Sequence, residues 1–194
     1  MRTVGIVLAA GASQRMGSPK ALLRGADGAP LAAKQAETLL AGGCDPVAVV
    51  LGSEIERIRR ELPEGLRTVE NPRWAQGRAS SLQAGVGAFP EADGILFLPV
   101  DAAGVKAATV RAILAAAELD PQAIWRPVHR GEKGNLLWVP RAAGRALLRL
   151  PAEARVDEWA RPLARPVAVD DPAILRNVNT PEEWAVLALS PRGN

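Results

Sequence analysis

A short segment near the start of the chain combines glycines with groups that bind anions. The stretch AGASQRMGSPK (10–20) carries Ser13, Arg15 and Lys20 around Gly11 and Gly17. Glycine allows a positive φ and a close approach of the backbone to a ligand, and backbone N–H groups in such a loop can form a nest for an anion. Arginine offers a planar fork for two phosphate oxygens, and lysine offers a movable point charge. The segment therefore suits a polyphosphate, although a solvated turn with scattered charges fits these residue types about as well.

The residues before this segment predict how the fold positions it. The run TVGIVLA (3–9) is apolar and rich in β-branched residues, which is typical of a strand buried on both faces of a parallel sheet. Ligands of open α/β sheets bind beyond the carboxyl ends of the strands. The segment matches neither common phosphate loop, because G-x-G-x-x-G needs a third glycine and the P-loop needs Gly-Lys-[Ser/Thr].

Strand and helix patterns alternate along the rest of the chain. Further strands are predicted at 46–52, 66–71, 94–101, around 123–129, around 134–140 and at 165–170. Helices are predicted at 31–41, at 53–62 with Ser53 as N-cap, and at 79–89, 105–119, 141–150 and 181–189. This alternation predicts an α/β fold, a three-layer α/β/α arrangement with a Rossmann-like, mostly parallel sheet, as a single domain over 1–194.

Composition excludes several classes of function. Hydrophobic residues make up 48% and charged residues 23%, and tyrosine is absent, so we expect no stacking platform or basic stripe for nucleic acid. No apolar run approaches 18 residues, so we expect no membrane span. The N-terminus resembles a short signal peptide, but Gly5 and the loop that follows favour a strand and hence a cytoplasmic protein. The single cysteine, Cys44, and single histidine, His129, cannot form a disulfide or a zinc site.

Four segments together resemble one known family. LAAGASQRMGSPK (8–20) resembles the signature L-A-[AG]-G-x-S-x-R-M-G-x-x-K of MobA-like nucleotidyltransferases. NPRWAQGRASSLQAG (71–85), LPVD (98–101) and NVNTPEEW (177–184) resemble its later segments, so the resemblance spans nearly the whole chain. It implies a nucleotide-diphospho-sugar transferase type of fold. It also implies transfer of a nucleoside monophosphate from an NTP to a phosphorylated acceptor, commonly molybdopterin, with release of pyrophosphate.

The resemblance also implies roles for catalytic and metal-binding residues. Lys20 contacts the α-phosphate, and Arg15 holds the β- and γ-phosphates. Mg²⁺ is the cofactor, with Asp101 and Asn179 as its ligands and Asn177 as a weaker candidate. Magnesium commonly takes one or two oxygen ligands from the protein. From the residues alone, Asp101 and Asn179 could instead be N-caps of the helices that follow them.

Nucleotide contacts are implied for the first loop and for the 71–85 segment. The serines of the second segment could instead cap a helix. Ala10 stands where guanylyl-transferring relatives usually have glycine, and we expect its methyl group to favour CTP over GTP by occupying space near the base. The complete predicted set is Leu8, Ala9, Ala10, Gly11, Ala12, Ser13, Arg15, Lys20, Asn71, Gly77, Ser80 and Ser81.

Two departures from the family pattern lie on the acceptor side. Ala103 stands where the family usually has proline, and Asn135 stands within the usual Gly-His-Pro. His129 and Arg130 could touch an acceptor phosphate, although a surface loop is the better interpretation.

These residues leave several functions open. The favoured hypothesis is a molybdenum cofactor cytidylyltransferase in transient contact with a cofactor-receiving enzyme. Alternatives are a guanylyltransferase using GTP, a sugar-phosphate nucleotidyltransferase and a non-catalytic NTP-binding accessory protein. No residue argues for an unrelated redox role.

Overall fold

An eight-stranded sheet forms the centre of the protein in the computed structural model, which describes residues 1–189. The strand order is β3-β2-β1-β4-β7-β5-β6, and β8 pairs in parallel with β5. Strands β1 to β4 are mutually parallel, whereas β7 is antiparallel to β4 and β5. The strands are β1 (Thr3–Ala9), β2 (Val47–Leu51), β3 (Arg67–Glu70), β4 (Gly94–Pro99), β5 (Ile124–His129), β6 (Glu132–Lys133), β7 (Leu137–Pro140) and β8 (Ala164–Ala168).

Helices cover both faces of this sheet. Helices α1, α2 and α4 supply one buried cluster, and α3, α5 and α6 supply the other. The predicted three-layer α/β fold with a mostly parallel sheet is therefore confirmed. The helices are α1 (Leu31–Ala41), α2 (Ile55–Glu61), α3 (Arg78–Ala88), α4 (Ala107–Leu119), α5 (Arg141–Leu147), α6 (Val156–Ala160) and α7 (Pro181–Leu189).

The first strand shows why an unbroken apolar run was needed. Val4 and Ile6 pack into the cluster beneath α3, whereas Val7 and Ala9 pack into the cluster beneath α1 and α4. Alternate residues of a strand point to opposite faces, so a strand in the middle of three layers must be apolar at every position. Burying each valine or isoleucine side chain contributes about 1.5–3 kcal/mol.

The register of the central strands brings two loops together. Leu8 of β1 pairs with Pro99 of β4, and the two strands are parallel. Both strands therefore end at the same edge of the sheet. The backbone continues from β1 into the glycine-containing segment and from β4 towards Asp101. The fold places the candidate phosphate loop beside the candidate metal ligand.

The start of helix α2 differs from the prediction because Ser53 is not its N-cap. Helix α2 begins at Ile55, after Glu54 with a φ of 51°. The backbone N–H of Ser53 instead donates to the carbonyl of Ala10 at 2.9 Å. Helix α6 and strand β6 were not predicted, because five and two residues are too short to show a period. Within residues 1–189, no helix has the length and apolarity needed to span a bilayer.

Candidate active site

A pocket opens at the carboxyl ends of β1 and β4. Its volume is about 550 Å³, which lies within the range of small-molecule sites. Many of the residues predicted to contact a nucleotide lie in the loop after β1, and that loop lines the pocket together with its two cationic side chains, Arg15 and Lys20. Its lining comprises Leu8, Ala9, Gly11, Ala12, Ser13, Gln14, Arg15, Pro19, Lys20, Ala21, Trp74, Val100, Asp101 and Asn179.

Lys20 is the centre of a charged cluster in the pocket. Its Nζ donates to Asp101 Oδ2 at 2.9 Å and to Asn179 Oδ1 at 2.8 Å. Arg15 Nη2 donates to the same Asn179 oxygen at 3.4 Å. The Lys20 and Asp101 side chains are 14% and 24% exposed, so a ligand in the pocket can reach both charges. Residues separated by 159 positions in the chain therefore form one polar centre.

The loop that carries Lys20 is held by Ser13. Ser13 adopts a left-handed φ of 52°, and Gly17 follows with a φ of 67°. The Ser13 Oγ accepts a hydrogen bond from the Lys20 N–H at 3.0 Å, while the Ser13 carbonyl accepts one from Met16 at 2.8 Å. Gly11, predicted to supply a positive φ, does not have one, and open space surrounds the position of its missing β-carbon.

Other residues cap the helices near Asp101 and Asn179. Asp171 accepts hydrogen bonds from the Lys106 N–H at 2.9 Å and the Thr109 hydroxyl at 2.6 Å, at the start of α4. Thr180 and Glu183 form a reciprocal capping box at the start of α7. The Asp101 and Asn179 side chains are therefore directed to Lys20 instead, and the capping alternative for both residues is wrong.

The oxygens around Lys20 suit a hard divalent cation. Asp101 Oδ2 and Asn179 Oδ1 both bind one ammonium group, so the two oxygens already converge on a single positive charge. Between Met1 and Leu189, no cluster of three or more His, Cys, Asp or Glu side chains could hold a metal. One carboxylate and one amide oxygen, completed by water and phosphate oxygens, match the way magnesium is usually held in proteins.

The asparagine and serines of the second segment form a separate, buried cluster. Asn71 Nδ2 donates to the hydroxyls of Ser80 at 2.9 Å and Ser81 at 3.0 Å, and Asn71 Oδ1 accepts from the Arg73 N–H at 3.0 Å. Asn71 is 1% exposed and Ser80 is 0% exposed. Neither serine caps α3, because Gly77 is the N-cap, no side chain caps the helix and both serines lie within its first turn or just after it. The Ser80 hydroxyl shares its proton between the carbonyls of Arg73 and Gly77. The structure does not bring Asn71, Gly77, Ser80 or Ser81 to the pocket lining.

Trp74 is a pocket wall that the sequence did not indicate, because its position alone could not separate it from core tryptophans. It lies against Gly52, where a β-carbon would be 2.4 Å from Trp74 Cβ and 2.6 Å from the Ala10 carbonyl. Ala10 itself is buried in the cluster beneath α3 and is absent from the pocket lining. The contact between the Ala10 methyl group and a base therefore stays a prediction.

Of the acceptor-side residues, two are buried in the protein and one lies near the active-site pocket. The His129 ring lies 3.1 Å from the Val169 carbonyl and is buried, so it stabilises the joint between β5 and the segment after β8. Ala103 is buried in the core. Asn135 lies closer to the site, because its Nδ2 donates to Asn177 Oδ1 at 3.0 Å, and the Asn177 carbonyl accepts from Asn179 Nδ2 at 3.2 Å.

The sheet order and the helices on both faces define the α/β fold of nucleotide-sugar transferases. Residues 5–168 match the family model of the MobA-like NTP transferase domain, and the chain belongs to that family. A probable molybdenum cofactor guanylyltransferase of Synechococcus elongatus is 30% identical over 98% of this chain and 100% of its own length. Nicotine blue oxidoreductase of Paenarthrobacter nicotinovorans is 41% identical, but the match spans 57% of this chain and 54% of that protein.

Solved structures resemble the fold over nearly its whole length. Rv0371c from Mycobacterium tuberculosis H37Rv superimposes with a TM-score of 0.83 and 25% identity, covering 98% of this chain and 99% of that chain. A manganese complex of Rv0371c superimposes with a TM-score of 0.76 and 24% identity, covering 98% of this chain and 100% of that chain. These likenesses show the fold and leave the chemistry to the residues described above.

Proposed function

We propose that this protein transfers a nucleoside monophosphate from an NTP to a phosphorylated acceptor and releases pyrophosphate, with molybdopterin as the acceptor. The observation that carries the proposal is the shared contact of Lys20 Nζ with Asp101 and Asn179 inside the pocket. That arrangement places a mobile cation beside two oxygens that suit a metal, which are the groups needed around a polyphosphate. Membership of the MobA-like family and a full-length relative named as a probable guanylyltransferase support it.

Each pocket residue has a defined task in this reaction. Lys20 is positioned to neutralise charge that grows on the α-phosphate as pyrophosphate leaves, which lowers the barrier more than it tightens ground-state binding. Arg15, exposed at the mouth of the pocket, holds the β- and γ-phosphates through its guanidinium fork. Asp101 and Asn179 would hold Mg²⁺, which supplies charge neutralisation across the phosphate oxygens when it is bound.

The base of the NTP has two candidates. Ala10, which stands where guanylyl-transferring relatives usually have glycine, favours CTP, although Ala10 is buried and is not among the residues that line the pocket. The name of the full-length relative favours GTP as the second candidate. Trp74 lines the pocket and offers an aromatic face to either base. We retain CTP as the first prediction and test both nucleotides directly.

A redox function is the competing class, and the 41% local match to an oxidoreductase is the observation in its favour. The cysteine of the chain argues against thiol chemistry, because burial raises the pKa of the Cys44 thiol to about 12. A thiol that stays protonated at neutral pH is a poor nucleophile and a poor electron donor. We favour nucleotidyl transfer over other redox chemistry because the chain belongs to the MobA-like family and Lys20, Asp101 and Asn179 meet in the pocket.

The test measures pyrophosphate release from each of the four NTPs with Mg²⁺, with molybdopterin and with a panel of sugar phosphates. We expect release that requires molybdopterin and is fastest with CTP. Faster release with GTP would identify a guanylyltransferase. Release only with a sugar phosphate would identify a sugar-phosphate nucleotidyltransferase. NTP binding without release from any pair identifies an accessory protein. Consumption of a nicotinamide cofactor without pyrophosphate release overturns the proposal in favour of redox chemistry.

A further inference from the structure

Two arginines share one carboxylate beside the active-site pocket. Arg126 of β5 donates from Nη2 to Asp157 Oδ1 at 2.5 Å, and Arg78 Nη1 lies 3.6 Å from Asp157 Oδ2. Partial burial raises the pKa of the Asp157 carboxyl, but the hydrogen bond from Arg126 and the charges of Arg78, Arg126 and Arg161 outweigh it and hold that pKa below its ordinary value. At neutral pH this cluster therefore keeps an excess of positive charge.

The guanidinium of Arg126 is incompletely satisfied. Arg126 is 9% exposed, and its Nε is buried without a hydrogen-bond partner. No other buried side-chain nitrogen or oxygen in the described part of the chain lacks one. A guanidinium has five N–H donors, and a buried donor without an acceptor is unfavourable. Two arginines that face one carboxylate also give the cluster one more positive than negative charge. Both features indicate that an anion completes the cluster.

The cluster adjoins the Lys20 centre through a chain of hydrogen bonds. Arg78 Nη2 donates to the Asn135 carbonyl at 3.2 Å, Asn135 Nδ2 donates to Asn177 Oδ1, and Asn179 Nδ2 donates to the Asn177 carbonyl. Loss of hydration lowers the pKa of Arg78, while the negative charges of Asp157 and Asp101 oppose that shift. Asp101 is therefore close enough to act on Arg78 electrostatically.

Accessibility separates the two arginines. The Arg78 side chain is 37% exposed, whereas that of Arg126 is covered. An incoming anion can therefore contact Arg78 first and use Arg126 as the inner partner. A phosphate monoester fits this pair best, because arginine forks bind two oxygens of one phosphate and phosphate carries up to two negative charges near neutral pH.

We propose that Arg78 and Arg126 form an anion subsite that binds the phosphate monoester of the acceptor, separate from the NTP phosphates at Arg15 and Lys20. The assignment of this anion to the acceptor rests on the proposed function, whereas the existence of the subsite does not. Asp157 positions the two guanidiniums and limits their affinity, because it competes with the ligand for the same donors.

The test uses inorganic phosphate as the probe, titrated into the full-length protein and followed by calorimetry or ³¹P line broadening. We expect Arg78→Met to weaken phosphate binding by about tenfold, as loss of one charged hydrogen-bonding partner typically does. Asp157→Asn should strengthen binding, because it removes the competing negative charge. Arg155→Met is the matched control, since Arg155 is exposed and pairs with Glu158 on the same segment. Thermal melting of each variant accompanies the titrations.

Opposite signs for Arg78→Met and Asp157→Asn, with an unchanged control, support the subsite, because loss of structure would weaken binding in both variants. Repeating the titration with saturating α,β-methylene CTP or GTP identifies the owner of the phosphate. If phosphate still binds, its site is separate from the NTP site and is assigned to the acceptor. If the NTP analogue displaces the phosphate, the site is part of the NTP site and the proposal is overturned. Wild-type affinity in Arg78→Met, or no phosphate binding by the wild type, also overturns it. Pyrophosphate release is scored separately, so its absence removes the proposed function without removing the subsite.

Discussion

Two polar clusters lie near the same edge of the sheet, and they differ in charge and in access to water. Lys20, Asp101 and Asn179 form a charged cluster in an open pocket, whereas Asn71, Ser80 and Ser81 form a neutral cluster that is buried. Charged groups with incomplete neutralisation are available to a ligand, whereas neutral groups that satisfy one another hold backbone segments in place. The sequence motif predicts that both clusters bind the nucleotide, whereas their difference in burial predicts two different roles.

The largest effect should come from the charged cluster. Lys20→Met should lower kcat by about 100-fold or more, equivalent to roughly 3 kcal/mol, because it removes the cation where transition-state charge develops. Stability should change little, since water can hydrate the Asp101 carboxylate that is left behind. Single-turnover pyrophosphate release and a thermal melt provide the two measurements.

The control for this variant is Lys34→Met, which removes a lysine paired with Asp27 outside the pocket. Its kcat should equal that of the wild type. A Lys20→Met enzyme with kcat within a few-fold of wild type would remove the catalytic role of the charged cluster and, with it, the comparison between the two clusters.

The buried cluster should respond in the opposite manner. Asn71→Ala removes the donor to two buried hydroxyls and the acceptor of the Arg73 N–H, and we expect the free energy of unfolding to fall by about 2 kcal/mol. For a chain of this size the melting temperature should fall by about 4–8 °C. NTP affinity measured below the transition should stay close to that of the wild type. The exposed amide of Gln122 provides a neutral control as Gln122→Ala.

A variant of Asn71 that keeps its stability and loses NTP affinity would contradict this division. It would return Asn71 to the nucleotide, as the sequence motif predicted.

The smallest of the three effects should come from the pocket mouth. Arg15→Met should raise the NTP dissociation constant by about tenfold, or about 1.4 kcal/mol, because the β- and γ-phosphates are already charged before reaction. At saturating NTP, kcat should remain close to that of the wild type. Calorimetry with an NTP analogue measures the affinity, and Arg57→Met, which breaks an exposed pair with Glu54, is the control. Equal affinities in Arg15→Met and the wild type would assign the triphosphate to other donors.

The difference between the clusters also shows how much of this protein could be predicted. The sheet and its central strands followed from apolar runs such as 3–9 and 94–99, because strands inside three layers must be apolar on both faces. Lys20, Asp101 and Asn179 followed from a motif, and the parallel register of β1 and β4 explains why Lys20 and Asp101 meet.

Other features depended on contacts that a sequence pattern cannot carry. The burial of Ala10, the position of Trp74 over Gly52 and the capping of α4 by Asp171 each join residues far apart in the chain. The Arg78 and Arg126 pair lies on α3 and β5. Arg78 stands within the 71–85 segment, but no sequence pattern joins it to Arg126. Long-range packing decides these positions, so they became visible only in three dimensions.

The Lys20 ion pair makes ligand binding at this site an exchange of partners. A cation that bound Asp101 Oδ2 and Asn179 Oδ1 would displace the Lys20 ammonium from both oxygens, whereas a phosphate could begin to bind through the third N–H of the ammonium. A cation that arrived first would therefore free the ammonium for the phosphate. Nucleotide and metal would then be positively linked, and because linkage is reciprocal, each would raise the equilibrium affinity of the other by the same factor. An internal salt bridge would thereby favour simultaneous occupancy over either half-filled state.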